Sequence, residues 1–368
     1  MEQKILEKVE KIREMLLRFN NPVYFFDNDS DGLCAFLLLR KWSGKGKGVA
    51  IKSFPELNES YARRISELNA DSVFILDKPV VASGFIKRLV DANIASVWID
   101  HHKGNKGFED FGVGGKNFVF LNPTEEIGIN KPTTYWAYVI ANKQLQWIAA
   151  LGCLGDWYVP EFIEEVYKQY SDLFEISKQE LNDVGKILYT TTFGKINLIL
   201  QFGLKDKTSN IVKMINFLVN VNSPYEILEE NKKNRTMHKR FKEVFRVYSK
   251  LLQRIKAEKD VVFFKYASQL SISAELANAL AFKYPQKLIV VANVKGEKVK
   301  ISVRGERARE ITLKAIEGLR DASGGGHEKA VGANIRLADL PVFKKRIITS
   351  WQSRQKIENE VKKSLFST

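Results

Sequence analysis

Apolar and polar positions change their period several times along the chain. Between residues 4 and 19, Ile5, Val9, Ile12, Leu16 and Phe19 recur every three to four residues, the spacing of an amphipathic helix. Asn20-Asn21-Pro22 ends that pattern. Val23-Tyr24-Phe25-Phe26 is then a short continuous apolar run closed by Asp27. The spacing predicts a helix over 32–42, a Gly/Lys turn over 43–48, an apolar strand over 49–54 and a helix near 58–69. A strand over 72–76 stops at Asp77, a helix follows near 82–93, and a strand over 95–99 stops at Asp100. Short, near-continuous apolar strands separated by helices predict an α/β fold with a parallel, doubly wound sheet.

Three of these strands end in an aspartate. Ligands of open α/β sheets bind at the carboxyl ends of the strands, so Asp27, Asp77 and Asp100 are expected to converge on one sheet edge. Carboxylates brought that close repel and raise one another's pKa unless cations hold them. A metal site is the economical expectation.

Residues 133–256 read as mostly helical, ending in a long helix from Ser223-Pro224, with serine as N-cap and proline at the first helical position. From 257 the pattern changes to a smaller α/β domain: strands over 261–266, 287–294 and 299–303, helices over 273–283 and 308–319, a glycine cluster and a segment over 330–335. A charged helix over 338–365 closes the sequence. The resulting division is an N-terminal domain over 1–200, a helical connector over 201–256, a second domain over 257–345 and a terminal helix over 346–368.

Composition narrows the class. The 368 residues are 45% hydrophobic and 27% charged, as in a soluble globular protein. No apolar run of about 18 residues suggests a membrane span, and the charged amphipathic N-terminus is unlike a signal peptide, so a cytoplasmic protein with no membrane partner is expected. The two cysteines, Cys34 and Cys153, lie in apolar segments and suit buried thiols in a reducing compartment, not a disulfide or zinc framework. The formal charge of +15 fits attraction to phosphate backbones, and equally a basic surface kept for solubility.

Candidate chemistry lies at the strand ends. Asp27-Asn28-Asp29-Ser30-Asp31-Gly32 places carboxylates one residue apart at a strand terminus; alone it reads also as a solvated Asp-rich turn. Asp100-His101-His102 adds two of the chain's four histidines at another strand end. Carboxylate oxygen mixed with imidazole suits Mn²⁺, Fe²⁺ or Zn²⁺, and the carboxylate excess favours manganese. Asp156 ends the apolar segment that begins at Trp147. In the second domain, Gly324-Gly325-Gly326-His327 could present backbone N–H groups and an imidazole to an oxyanion, or be a turn. Arg304, closing a strand, could clamp a phosphate or be an ordinary surface arginine.

In this order, DNDSDG, the strand-terminal Asp77, DHH, Gly155-Asp156 and GGGH resemble the DHH phosphoesterase superfamily, in the branch with a DHHA1 domain that includes RecJ-like exonucleases, oligoribonucleases and archaeal relatives. The resemblance covers residues 20–160 and 255–335. It implies two manganese ions, with magnesium as the substitute. Asp27 and Asp77 would hold one; Asp29, Asp77, His101 and Asp156 would hold the other, with Asp77 bridging. It further implies that His102 contacts the scissile phosphate, that Asp100 orients its neighbours, and that Arg304, Gly324, Gly325, Gly326 and His327 grip the nucleotide. Two positions depart from the pattern. Residues 20–26 lack the histidine that several members place before the first aspartates, and Lys78-Pro79 follows Asp77 where many have a small residue.

Residues 231–256 carry ten Lys or Arg against the single acid Glu243, with apolar residues from Met237 to Ile255 on one helical face. Lys239, Lys242, Arg246 and Lys250 are expected either to track a sugar-phosphate backbone in a groove or to be the solvated face of a connector. The leading expectation is an exonuclease on single-stranded DNA or RNA, with replication or repair proteins as further partners. The alternatives are a phosphodiesterase of short substrates (oligoribonucleotides, cyclic dinucleotides or 3′-phosphoadenosine phosphate) and a catalytically quiet, Cdc45-like replication scaffold.

Overall fold

The computed structural model describes residues 2–53, 56–104, 106–257 and 260–365, with side chains described to residue 353. The chain divides into two compact units, residues 1–242 and 243–368. No helix among the described residues is long and apolar enough to cross a membrane.

The first unit is built on strands β1 (Pro22–Asp27), β2 (Lys47–Ile51), β4 (Ser72–Leu76), β6 (Ala95–Ile99) and β7 (Phe118–Leu121), ordered β2-β1-β4-β6-β7 and parallel throughout. A two-stranded parallel ribbon pairs β3 (Glu56–Leu57) with β5 (Val80–Val81). The apolar runs are continuous because both sheet faces are covered. Val23 and Phe25 join Val73, Ile75 and Trp98 in a core with Phe85, Ile86 and Leu89 of the helix Ser83–Asp91. On the other face, Phe36 of the helix Ser30–Ser43 stacks on Phe26 at 5.0 Å and meets Tyr24 edge-on at 5.4 Å. Cys34 and Cys153 are buried free thiols.

Several sequence expectations need correction. The strand expected over 49–54 is β2, ending at Ile51; Phe54 lies outside the described residues, as do residues 366–368 of the terminal helix. The strand β7 has no counterpart among the expected elements. The helix expected near 58–69 is a 3₁₀ turn followed by the five-residue helix Arg63–Glu67. Ser223 does cap a helix with Pro224 at its start, but that helix ends at Leu228, and a second one runs over Arg235–Gln253. The break has a local cause. Asn234 Nδ2 donates to the carbonyls of Glu226 and Glu229, and Asn234 Oδ1 accepts from Asn231 N–H, so side-chain amides take over bonds that a continuous helix would make.

The second unit carries a mixed sheet of β8 (Val261–Ala267), β9 (Leu288–Lys295), β10 (Lys298–Arg304), β11 (Ser323–His327) and β12 (Ala330–Arg336), in the order β11-β12-β10-β9-β8. Its core joins Val290, Ala292, Ile301 and Val303 to Ile311, Ala315, Phe343 and Ile347. The glycine cluster is not a loop: it is the edge strand β11, antiparallel to β12 with Gly326 opposite Val331 and His327 opposite Ala330.

Candidate metal centre

Asp27, Asp77 and Asp100 each close one of three neighbouring strands whose last residues are in register, Phe26 with Leu76 and Leu76 with Ile99. The sheet itself thus brings together residues up to 73 positions apart in sequence. Asp77 departs from the strand with φ +57°, a left-handed conformation that a non-glycine residue holds only where its surroundings enforce it. Its N–H donates to the Ile99 carbonyl at 2.9 Å.

The loop after β1 supplies the other acids. Asp29 is the N-cap of the helix Ser30–Ser43, its Oδ1 accepting from Gly32 N–H at 3.0 Å. Gly32 has no alternative: a Cβ there would lie 2.6 Å from the Asp27 carbonyl oxygen and 2.7 Å from Asp27 N. The tight return of helix onto strand places Asp31 in the first helical turn, fully inside. Both its oxygens are engaged, accepting from Thr133 N–H at 2.9 Å and Thr134 N–H at 2.7 Å. Asp156 sits at the C-cap of the helix Gln146–Gly155, whose Gly155 lets that helix approach Ser30; a Cβ at 155 would lie 2.6 Å from the Ser30 Cβ.

These segments meet around one imidazole. His101 Nε2 lies 3.5 Å from Asp77 Oδ1, 3.6 Å from Asp156 Oδ2 and 3.7 Å from Asp31 Oδ2. Such separations are long for hydrogen bonds and close to those of donors that each sit about 2.1 Å from a shared cation. Asp27, Asp29 and Asp77 form an adjoining group, their ligand atoms all within 4.8 Å of one another, and Asp77, Asp100 and His102 form another. His102 is half-buried and held by Asp100, which accepts from its Nδ1 at 3.0 Å and from its backbone N–H at 3.0 Å. Asn122 Nδ2 fixes the His102 carbonyl at 2.9 Å.

The electrostatics fit a cation. Burial, then the charges of Asp77, Asp27 and Asp31, push the Asp29 carboxyl well above its ordinary range. The residue lies at the exposed rim of the group, with a carboxylate oxygen within 4.8 Å of ligand atoms of Asp27 and Asp77. Burial and Asp77 do the same to Asp31 against the opposing pull of His101, and burial raises Asp27 against the pull of Lys78. Asp77 goes the other way: despite burial, the His101 imidazole 3.5 Å away, with His102 and Lys78, holds it below the usual carboxylate range. Burial works against protonation of His102, but Asp100 outweighs it and raises the group to about 8. Several carboxylates facing one another around a single imidazole is a donor set suited to Mn²⁺ or Mg²⁺.

Sequence reasoning missed two members of this centre. Asp31, not Asp29, accompanies His101 and Asp156, while Asp29 groups with Asp27 and Asp77. The available signal was the repeat of aspartate at 27, 29 and 31. Lys78, noted only as a departure, is fully buried, and its Nζ donates to Asp27 Oδ1 at 2.9 Å and to the Ser53 carbonyl at 2.8 Å. Elsewhere, Lys239, Lys242, Arg246 and Lys250 are exposed on the helix Arg235–Gln253, with Lys242 paired to Glu230. In the second unit, Arg304 donates to Asn278 Oδ1 and to the Val303 carbonyl, and Gly324, Gly325, Gly326 and His327 line the sheet edge on β11.

A parallel α/β unit with an acidic strand-end cluster, followed by a smaller mixed-sheet domain, defines the architecture. Residues 260–352 match the family model of the DHHA1 domain. Among solved structures, the chain is similar to RecJ from Thermus thermophilus in complex with Mn²⁺, at 15% identity and TM-score 0.58 over 95% of this chain and 55% of that one. It is similar to the DHH domain of a member of a ribosomal-protein family, at 15% identity and TM-score 0.65 over 94% and 90% of the two chains. It is also similar to an exonuclease RecJ bound to manganese, at 16% identity and TM-score 0.54 over 93% of each chain. No curated protein matches the chain. At these identities the likeness is one of fold, and the chain spans about half the length of the Thermus protein. The DHHA1 match thus covers the second domain, and over the first domain the likeness to these structures is one of fold.

Proposed function

We propose that this chain is a manganese-dependent phosphodiesterase that releases mononucleotides from an end of single-stranded DNA or RNA. The observation that carries the reading is the convergence of Asp31, Asp77 and Asp156 on His101 Nε2 at 3.5–3.7 Å. Four separate segments have to be folded correctly to make that convergence, and it leaves buried acids that repel one another without a cation. Asp27, Asp29, Asp31, Asp77, His101 and Asp156 are the residues that would hold divalent metal, with magnesium the substitute for manganese.

When bound, such metal supplies Lewis acidity toward phosphoryl oxygens and lowers the pKa of water. The chain's own residues do the remainder. Asp77, fixed at a strained strand end, stays ionised and orders both adjoining acid groups. His102, protonated at neutral pH and oriented through Nδ1 by Asp100, donates from its other ring nitrogen to a non-bridging phosphoryl oxygen. In the second unit, Arg304, Gly324, Gly325, Gly326 and His327 hold the nucleotide. Lys239, Lys242, Arg246 and Lys250 attract the backbone of a longer strand, which is the reason to favour a polymer over a dinucleotide.

The test is incubation of end-labelled single-stranded 20-mers of DNA and RNA, beside a dinucleotide, with the purified chain and Mn²⁺. Mononucleotides are expected from at least one 20-mer. Cleavage of the dinucleotide alone would transfer the reading to short substrates, and no cleavage at all would overturn the hydrolase.

The basic helix gives a separate expectation. Reversing Lys242 and Arg246 to glutamate should weaken 20-mer binding. It should also flatten the slope of log affinity against log salt by about 1.4, at about 0.7 per phosphate contact on a single strand. Unchanged binding in a fluorescence anisotropy titration would remove this helix from the substrate path.

A further inference from the structure

We infer that Lys78 replaces one of the two cations expected at this centre, so that the chain holds a single divalent ion, in the group around His101. The inference rests on the metal-dependent reading above and alters the ion count that the DHH motifs imply.

The geometry begins at the end of β4. Lys78 follows Asp77 directly, and its side chain is fully buried. Its Nζ reaches Asp27 Oδ1 at 2.9 Å and the Ser53 carbonyl at 2.8 Å. Its backbone is tied down as well, because Trp98 Nε1 donates to the Lys78 carbonyl at 2.9 Å. A lysine so enclosed cannot swing its charge into water, and it is tolerated in the interior because a carboxylate faces it. The same Asp27 oxygen also accepts Asn28 N–H at 2.9 Å. One of the two Asp27 oxygens is therefore already committed.

Asp27 belongs to the group formed with Asp29 and Asp77, where the motif pattern places the first ion. An ion there would share its carboxylate with an ammonium fixed in the same pocket, and the two positive charges would repel at close range. The group of Asp27, Asp29 and Asp77 also contains no imidazole, and residues 20–26 before it contain no histidine to supply one. The two departures have one explanation: a covalently attached cation does the charge neutralisation, and the missing nitrogen donor is not needed. The group of Asp31, Asp77, Asp156 and His101 has an imidazole and three carboxylates of its own, and remains the place for the divalent ion.

The experiment counts ions directly. Metal-free chain is saturated with Mn²⁺, freed of unbound ion by gel filtration, and assayed for manganese by mass spectrometry and for spin coupling by electron paramagnetic resonance. Wild type is expected to retain one ion per chain with the uncoupled six-line spectrum of isolated Mn²⁺. Lys78→Met, which keeps an unbranched side chain one atom shorter and removes its charge, is expected to retain two ions with an exchange-coupled spectrum. Two ions or a coupled spectrum in wild type would overturn the inference while leaving the metal-dependent reading intact. A folded Lys78→Met variant that still retains one ion would also overturn it. Retention of no ion by wild type would overturn both. The wild-type spectrum decides the count even where the methionine variant fails to fold by circular dichroism.

Discussion

Replacing Asp77 with asparagine is expected to lower kcat on a labelled single strand by about a thousandfold or more, equivalent to about 4 kcal/mol of transition-state stabilisation. The substitution is close to isosteric, and asparagine accepts a left-handed backbone readily, so the φ of +57° is retained. What changes is charge. Asp77 is the one acid shared between the Asp27–Asp29 group and the Asp100–His102 group. It also faces His101 Nε2 at 3.5 Å and accepts from Thr133 Oγ1 at 3.4 Å. Its carboxylate is held below the usual range by the surrounding histidines and Lys78, so the neutral amide removes a full negative charge at any working pH. Metal affinity should fall with the rate. A variant that keeps a folded circular dichroism spectrum and more than a tenth of wild-type kcat would show that the chemistry lies elsewhere.

The position of Asp77 was readable from sequence for a definite reason. Continuous apolar runs such as Ser72–Leu76 are buried on both faces, and a charged residue that closes one must emerge at the sheet edge. Asp31 was not readable in the same way. Aspartates at 27, 29 and 31 offer three candidates at equal spacing, and the inward one is chosen by where strand gives way to helix. Asp29 becomes the cap, and Asp31 meets Thr133 and Thr134 about a hundred residues later in sequence. No local pattern carries that contact. The same holds for β11, whose three glycines have little intrinsic preference for a strand and form one because β12 pairs with them. Lys78 was visible as an exception, but its partner Asp27 lies 51 residues away on the neighbouring strand.

Stripping metal from the chain is expected to abolish hydrolysis and to lower the thermal midpoint by about 5–10 °C relative to Mn²⁺ at a hundredfold excess over Kd. That range converts about 2.7 kcal/mol of ligand-linked stabilisation into temperature for a unit of this size. The acids give the effect its pH sign. Asp29 and Asp31 have folded-state pKa values raised well above the ordinary carboxylate value, first by burial and then by Asp77 and their other acidic neighbours. For a group raised in this way, the folded state gains most below the unfolded pKa and loses that gain as pH rises through the folded pKa. Metal-free chain should therefore become less stable as pH is raised from mildly acidic to neutral, whereas Mn²⁺ should flatten the dependence by favouring the ionised acids. Asp29→Asn separates stability from function. The amide still accepts Gly32 N–H as an N-cap, and it removes one charge from the repelling group. The metal-free variant should melt above metal-free wild type, gain less from Mn²⁺ and hydrolyse more slowly. Calorimetry with and without manganese across that pH range, beside the hydrolysis assay, checks all three, and a wild-type midpoint indifferent to the ion would remove the metal centre from the account of this fold.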